Sequence, residues 1–293
     1  MDGKAAVLLS CALLLLSGCG ARRDQRIVIG SKSFTEQIIL AELLAQHIHN
    51  RTGLDIDRRL NLGGALICQK ALTSGEIDLY VEYTGTALTV ILGDRPSTNP
   101  ADVLGRVRAG YASRFDLQVA DPLGFNNTFA IVVRGDDARR LKLKKISDIG
   151  PYFAQWRAGF GYEFMERPDG FAGLAATYHL RLVEPPRSME LGLLYRALKE
   201  KQVDVVAGNS TDGVIAALDL VVLEDDRHYF PPYEAVPIVR REALEQHPAL
   251  RAALHELAGK ISDEEMRRLN YAVDGEHRPV KPLVQQFRQA KGL

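Results

Sequence analysis

Seven histidines, three cysteines and 37 acidic residues are the groups in this chain that could ligate a metal or move a proton, and their spacing argues against both. His47 and His49 fall two apart on a predicted helix and so face different sides, unlike the i, i+4 pair of a zinc protease. Gly208-Asn209-Ser210-Thr211-Asp212-Gly213 lacks the G-x-S-x-G spacing of a nucleophile elbow, and Gly159-Phe160-Gly161 has no third glycine at dinucleotide-fingerprint spacing. There is no Walker A lysine motif, and Glu224-Asp225-Asp226 reads as solvated loop rather than an acid/base pair. The expectation is a non-enzymatic protein with no metal and no cofactor.

The cysteines point to export. Ala5 to Leu16 is apolar, too short for a spanning helix of about 20 residues but suited to the core of a signal peptide. Leu16-Ser17-Gly18-Cys19 follows directly and resembles a bacterial lipobox, in which the cysteine becomes the lipid-modified first residue of the mature chain. Residues 1–18 are therefore expected to be a lipoprotein signal, 19–26 a tether and Cys19 the anchor, with more than one acyl chain for stable attachment. Cys11 leaves with the signal, so Cys68 stands alone without a disulfide partner and is expected to be a small core residue.

The elements needed to position any site alternate. Arg26 to Gly30 reads as a buried strand, followed by a helix to about Asn50 whose Ile38, Ile39, Leu43, Leu44 and Ile48 repeat at helical spacing. A strand over about 54–62, a helix from Gly63-Gly64 to Ser74-Gly75 and a strand over Ile77 to Val81 complete a βαβαβ unit, the pattern of a mostly parallel sheet. Further strands are predicted at Phe129 to Val133, Ala158 to Phe160, Val203 to Ala207 and Leu220 to Leu223. Helices are predicted at Gly170 to Tyr178, Met189 to Lys201 and Thr211 to Ala217, and the last 50 residues read as helical, with a capping box at Ser262 to Glu265.

At 293 residues the chain holds one large or two moderate domains. Its 37 basic residues balance its 37 acidic ones, which leaves no footprint for nucleic acid, and 46% apolar residues exclude a disordered class.

Eight segments in unbroken order resemble the substrate-binding proteins of ABC importers for glycine betaine, choline, carnitine and related osmoprotectants. They are Ile29 to Gln37, Asn61 to Gly64, Gly75 to Asp78, Glu82 to Thr86, Pro122 to Thr128, Ser210 to Gly213, Asp219 to Asp226 and Phe230 to Tyr233. The resemblance implies an α/β, two-lobed type II periplasmic-binding-protein fold with two hinge crossings, closing on a ligand between the lobes. It places lobe one at 27–127 plus 232–293 and lobe two at 128–231, with crossings beside Asn127-Thr128-Phe129 and Pro231-Pro232-Tyr233.

The resemblance also implies a ligand site. Tyr83, Phe129 and Tyr233 fall on cage positions for a quaternary ammonium, which donates no hydrogen bond and is held by aromatic faces. Lys32, Thr86 and Arg167 fall on positions similar to the family's carboxylate contacts. Asn209 stands where the family commonly has a Tyr, and Phe129 where it often has one. A missing ring forfeits roughly 0.5 to 2 kcal/mol of cation–π attraction, up to about thirtyfold in affinity, while an Asn favours a more polar ligand. The partners implied are a betaine- or choline-like solute, a separate permease and ATPase, and the membrane through the lipid anchor, for a monomer in the periplasm or at the cell surface. Alternatives are a sensory lipoprotein of the same fold or binding of a non-betaine solute; a lipoprotein hydrolase lacks its nucleophile and base.

Overall fold

The computed structural model describes residues 26–293, so the expected signal peptide, Cys19 and all of the expected tether but Arg26 lie outside the described residues. β1 (Arg26–Gly30) leads to helix α1 (Thr35–Thr52), then β2 (Asp55–Arg59), α2 (Ala65–Thr73) and β3 (Leu79–Tyr83). α3 (Pro100–Phe115) and β4 (Leu117–Val119) complete the first passage through one sheet. The chain then builds a second sheet from β5 (Phe129–Arg134), β6 (Ala158–Phe160), β7 (Arg187–Ser188), β8 (Val205–Asn209) and β9 (Leu220–Leu223), with α4 (Phe171–Tyr178) and α5 (Leu191–Lys199) between strands. It returns through β10 (Ala235–Arg240) and ends in α6 (Ala249–Glu256), α7 (Asp263–Asp274) and α8 (Val280–Lys291), all three packed on α1.

The two sheets share one plan. The first runs β2-β1-β3-β10-β4 and the second β7-β6-β8-β5-β9. In each, four strands are parallel and the fifth, arriving from the other sheet, inserts antiparallel: β10 between β3 and β4, and β5 between β8 and β9. Each sheet is thus mostly parallel, as the alternation implied, with one antiparallel strand because the exchanged strand enters from the opposite end.

β10 escaped prediction because it carries Pro237 in the middle of a sheet, a position where proline removes a ladder hydrogen bond. The structure shows why it fits. The Pro237 carbonyl accepts from Ala120 N–H at 2.9 Å, so the ring nitrogen faces the same side, just past the last ladder pair of β4, Ile238 with Val119. α3 also went unpredicted, although Asn99 caps it by accepting from the N–H groups of Ala101 and Asp102, with Pro100 in the first turn.

One apolar core runs through both lobes, joining Ile29, Leu44 and Val81 of the first to Ile131, Phe160 and Val205 of the second. Cys68 is fully buried, and burial pushes its thiol up to about 12, as suits a small apolar residue. Among the described residues no helix is long and apolar enough to cross a membrane.

Candidate ligand-binding cleft

Two crossing segments join the lobes, and they run side by side. Asn126 and Glu234 form an antiparallel bridge, and Asn127 N–H donates to the Tyr233 carbonyl at 3.0 Å. Phe129 opens β5 directly after the first crossing and Tyr233 precedes β10 at the end of the second. Strand pairing places Asn209, the last residue of β8, directly opposite Phe129.

β3 is buried along its whole length and ends on Glu82-Tyr83. The chain then turns at once into a helical segment, Thr84–Thr86, that widens to a π-helical turn over Ala87–Ile91, a rare geometry frequent at functional sites. Gly85 in this turn lies flat against the Tyr233 ring, where an added Cβ would approach the ring carbons to 2.6 Å. Tyr83, Thr86 and Tyr233 are thereby assembled from elements about 150 positions apart in sequence.

The aromatic residues form two groups, each with a cation. The Tyr83 ring stacks near Phe34 at 6.4 Å between centroids, and Lys32 Nζ lies 4.5 Å from the Tyr83 centroid. Phe129 packs edge-on to Phe164 at 4.8 Å and to Tyr233 at 5.8 Å, with Phe230 at 5.8 Å. The Arg167 guanidinium carbon lies 4.9 Å from the Phe129 centroid and 5.6 Å from that of Tyr233. Both distances fall within the roughly 6 Å range in which a ring quadrupole attracts a cation.

Each basic group also has a carboxylate. Lys32 donates to Glu82 at 2.5 Å, and both side chains are buried. Arg167 makes a two-pronged pair with Asp169 at 2.8 and 2.6 Å and donates to Thr86 Oγ1 at 3.0 Å. Asp169 further accepts from Tyr233 Oη at 2.6 Å and from Thr89 Oγ1 at 2.9 Å. Because Arg167 and Asp169 lie between β6 and α4 whereas Thr86, Thr89 and Tyr233 sit on the first lobe, these bonds bridge the cleft. Burial works against charge on both partners, yet their mutual hydrogen bonds and attraction prevail: Arg167 is held above its ordinary pKa and Asp169 below its own.

A third carboxylate, Glu36 in the first turn of α1, faces no basic group. Its oxygens accept from Tyr83 Oη at 2.5 Å, Asn127 Nδ2 at 2.8 Å, Thr211 Oγ1 at 2.6 Å and Asn270 Nδ2 at 2.9 Å. Burial outweighs these four bonds and raises its pKa. Tyr83 and Tyr233 are treated alike: each hydroxyl donates to a buried carboxylate, and burial followed by that negative charge lifts each phenol well above its ordinary pKa. Asn127 Oδ1 and Thr128 Oγ1 are buried at the first crossing without a protein partner.

The structure thus brings Lys32 to Tyr83, and Arg167 to Thr86, Phe129 and Tyr233, with Asn209 beside Phe129. Sequence reasoning passed over Phe34, Glu36, Glu82, Phe164, Asp169 and Phe230. Signals were present: Glu82 precedes Tyr83 in E-Y-T-G-T, Asp169 follows Arg167 by two, and Phe230 opens F-P-P-Y. A separate cavity of about 450 Å³, lined by His49, Asn50, Arg58 and Arg288, lies behind α1 and touches neither aromatic group.

Two sheets exchanging one strand each, joined by paired crossings that carry the residues lining the cleft, define a type II periplasmic-binding protein. Residues 25–290 match the model of the substrate binding domain of ABC-type glycine betaine transport systems, and the chain belongs to that family. It is 36% identical over 291 residues to the carnitine transport binding protein OpuCC of Listeria monocytogenes serotype 1/2a, covering 97% of this chain and 94% of that one. It is 32% identical to the ergothioneine transport permease/ergothioneine binding protein EgtU of Helicobacter pylori, covering 98% of this chain and 51% of that one. A crystal structure described as a glycine betaine/carnitine/choline ABC transporter superposes with a TM-score of 0.78 at 34% identity, over 91% of this chain and 98% of that one. The chain is therefore a substrate-binding protein of osmoprotectant ABC transport.

Proposed function

We propose that the protein, anchored outside the cytoplasm by a lipid on Cys19, captures a quaternary-ammonium osmoprotectant in the cleft and delivers it to an ABC permease. The observation that carries this reading is the Phe129–Tyr233 pair, whose edge-on rings at the hinge both lie near one cation, the Arg167 guanidinium, at 4.9 and 5.6 Å. A trimethylammonium group has the same electrostatic preference for ring faces and no hydrogen bond to lose there. Lys32, Thr86 and Arg167 then supply the donors for a ligand carboxylate, and Asn127 Oδ1 and Thr128 Oγ1 are unpartnered polar atoms within the same hinge. The lobe boundaries we assign are 27–127 plus 232–293 and 128–231. Delivery to a permease is supported by the family and by the Helicobacter relative, whose name joins a permease to a binding protein.

Asn209 opposite Phe129 favours a ligand with an additional polar group. Of two betaines, carnitine carries a hydroxyl that an amide can bind and glycine betaine does not. Calorimetric titration of the purified mature chain with glycine betaine, carnitine and choline is expected to show binding, tightest for carnitine. Heats indistinguishable from dilution for all three at millimolar concentration would overturn the ligand class. Asn209→Tyr restores a ring and is expected to reverse the preference toward glycine betaine by up to about thirtyfold; an unchanged ratio removes Asn209 from the site.

A further inference from the structure

Glu36 touches both sides of the boundary between the two lobes. Tyr83, one of its four donors, is a wall of the proposed cleft on the first lobe; Asn127 lies on the crossing; Asn270 belongs to α7 of the first lobe; Thr211 belongs to the Ser210–Gly213 loop that follows β8 of the second. That loop is seated closely on α7. Asn270 donates a second bond to the Thr211 carbonyl at 2.9 Å, and Gly213 lies against the backbone of α7 at Arg267 and Tyr271, where a Cβ would not fit. Thr211 is fully buried and Glu36 nearly so.

A carboxylate suits this place better than any neutral acceptor. Two oxygens with about four lone-pair sites receive four donors, and an amide would turn one acceptor into a donor facing hydroxyl and amide N–H groups. Its location in the first turn of an 18-residue helix adds the favourable end of the helix dipole, which offsets part of the burial. A purely structural carboxylate could be served by one lobe; here the shortest bonds go one to the cleft aromatic and one to the opposite lobe.

We propose that Glu36 is a positioning residue for ligand binding: one buried carboxylate sets the Tyr83 ring and fastens the second lobe's Ser210–Gly213 loop to the first, so that an assembled cleft and a closed one form a single hydrogen-bonded unit. The inference rests on the reading of the cleft as a ligand site, and its consequence is kinetic. Loss of the Thr211 bond leaves the open form able to accept ligand and removes a restraint on the closed form, so release accelerates while capture does not.

Thr211→Val keeps the volume and removes the hydroxyl, and Thr211→Ser restores it. With glycine betaine and carnitine as probes on the immobilised chain, Thr211→Val is expected to raise the dissociation rate about tenfold with the association rate within twofold, the effect of one hydrogen bond to a charged group. Thr211→Ser is expected to return the rate to that of the wild type, and Glu36→Gln to exceed Thr211→Val because it disturbs Tyr83 as well. Small-angle scattering without added solute reads the same latch independently: a larger radius of gyration for Thr211→Val, reversed in Thr211→Ser. Unchanged scattering and unchanged release in Thr211→Val would overturn the proposal, as would a release defect that Thr211→Ser fails to restore. A wild-type chain that binds neither probe would instead contradict the ligand assignment, and the scattering comparison would still decide the latch.

Discussion

At the scale of single residues, the cleft is built from cations and rings whose carboxylate partners, apart from Asp169 beside Arg167, are remote in sequence. Lys32 finds Glu82 fifty positions away, Tyr233 finds Asp169 sixty-four away, and Thr211 reaches Glu36 across 175. The short motifs carrying Lys32, Tyr83 and Tyr233 were legible because their residue types match a ligand's chemistry. Their partners were not, because nothing local marks which carboxylate folds back onto which hydroxyl. A phenol donating to a carboxylate also gains electron density on its ring, which strengthens attraction for a cation. Tyr233→Phe keeps the ring and removes the bond to Asp169, so it is expected to weaken betaine binding about tenfold by calorimetry, with Tyr233→Ala weaker still. Equal affinities of Tyr233→Phe and wild type would show that the hydroxyl is idle.

Asp212 gives a pH dependence at the same scale. It lies within the Ser210–Gly213 loop with its carboxyl turned inward, accepts from Tyr195 Oη at 2.5 Å and Asn209 N–H at 2.9 Å, and desolvation of the carboxyl nonetheless pushes it from 3.8 up to about 6, with the Glu36 charge adding to the rise. The folded chain therefore keeps a proton that the unfolded chain releases between about pH 4 and 6. The stabilisation is complete below the ordinary value of 3.8 and is lost as pH rises through about 6. Urea unfolding of the wild type and of Asp212→Asn is expected to show the wild type losing about 2 kcal/mol relative to the variant from pH 4 to pH 7. A difference constant over that range would mean that Asp212 titrates normally.

At the scale of elements, periodicity was sufficient where one pattern governed. The buried run of β1, the helical spacing in α1 and the Ser262 capping box all name their elements, and the structure has Ser262 and Glu265 bonded reciprocally. Two elements broke the pattern for identifiable reasons. Pro237 masks β10 because propensity does not know that β4 stops one pair short of it. α3 shows only Val103, Val107 and Tyr111 to the core, a thin stripe in a polar segment, although Asn99-Pro100 is a helix-start signal. Asn99→Ala removes the cap and is expected to lower unfolding stability by about 1 kcal/mol, read as a lower urea midpoint at unchanged slope. An unchanged midpoint would mean that solvent satisfies those two N–H groups equally well.

At the scale of the whole molecule, alternation of strands and helices in two modules without a flexible linker gave the α/β class and suggested two lobes sharing connections, but the hinge crossings and lobe bounds came through family resemblance. The exchange of β5 and β10 between sheets is a long-range pairing that local patterning does not encode. That exchange determines where the residues of the proposed ligand site can be. Each returning strand starts at a crossing, so Phe129 and Tyr233 are carried to the hinge by the topology itself, and Arg167 reaches them from the second lobe. Hydrogen bonds that bridge the two lobes include Thr86 with Arg167, Thr89 and Tyr233 with Asp169, and Thr211 with Glu36 and Asn270. The most direct test is a crystal structure of the protein grown with carnitine. The trimethylammonium nitrogen is predicted within about 6 Å of the Phe129 and Tyr233 ring centroids, with the carboxylate on Lys32, Thr86 or Arg167. A ligand ordered outside the cleft, or one whose carboxylate faces the rings, would contradict it.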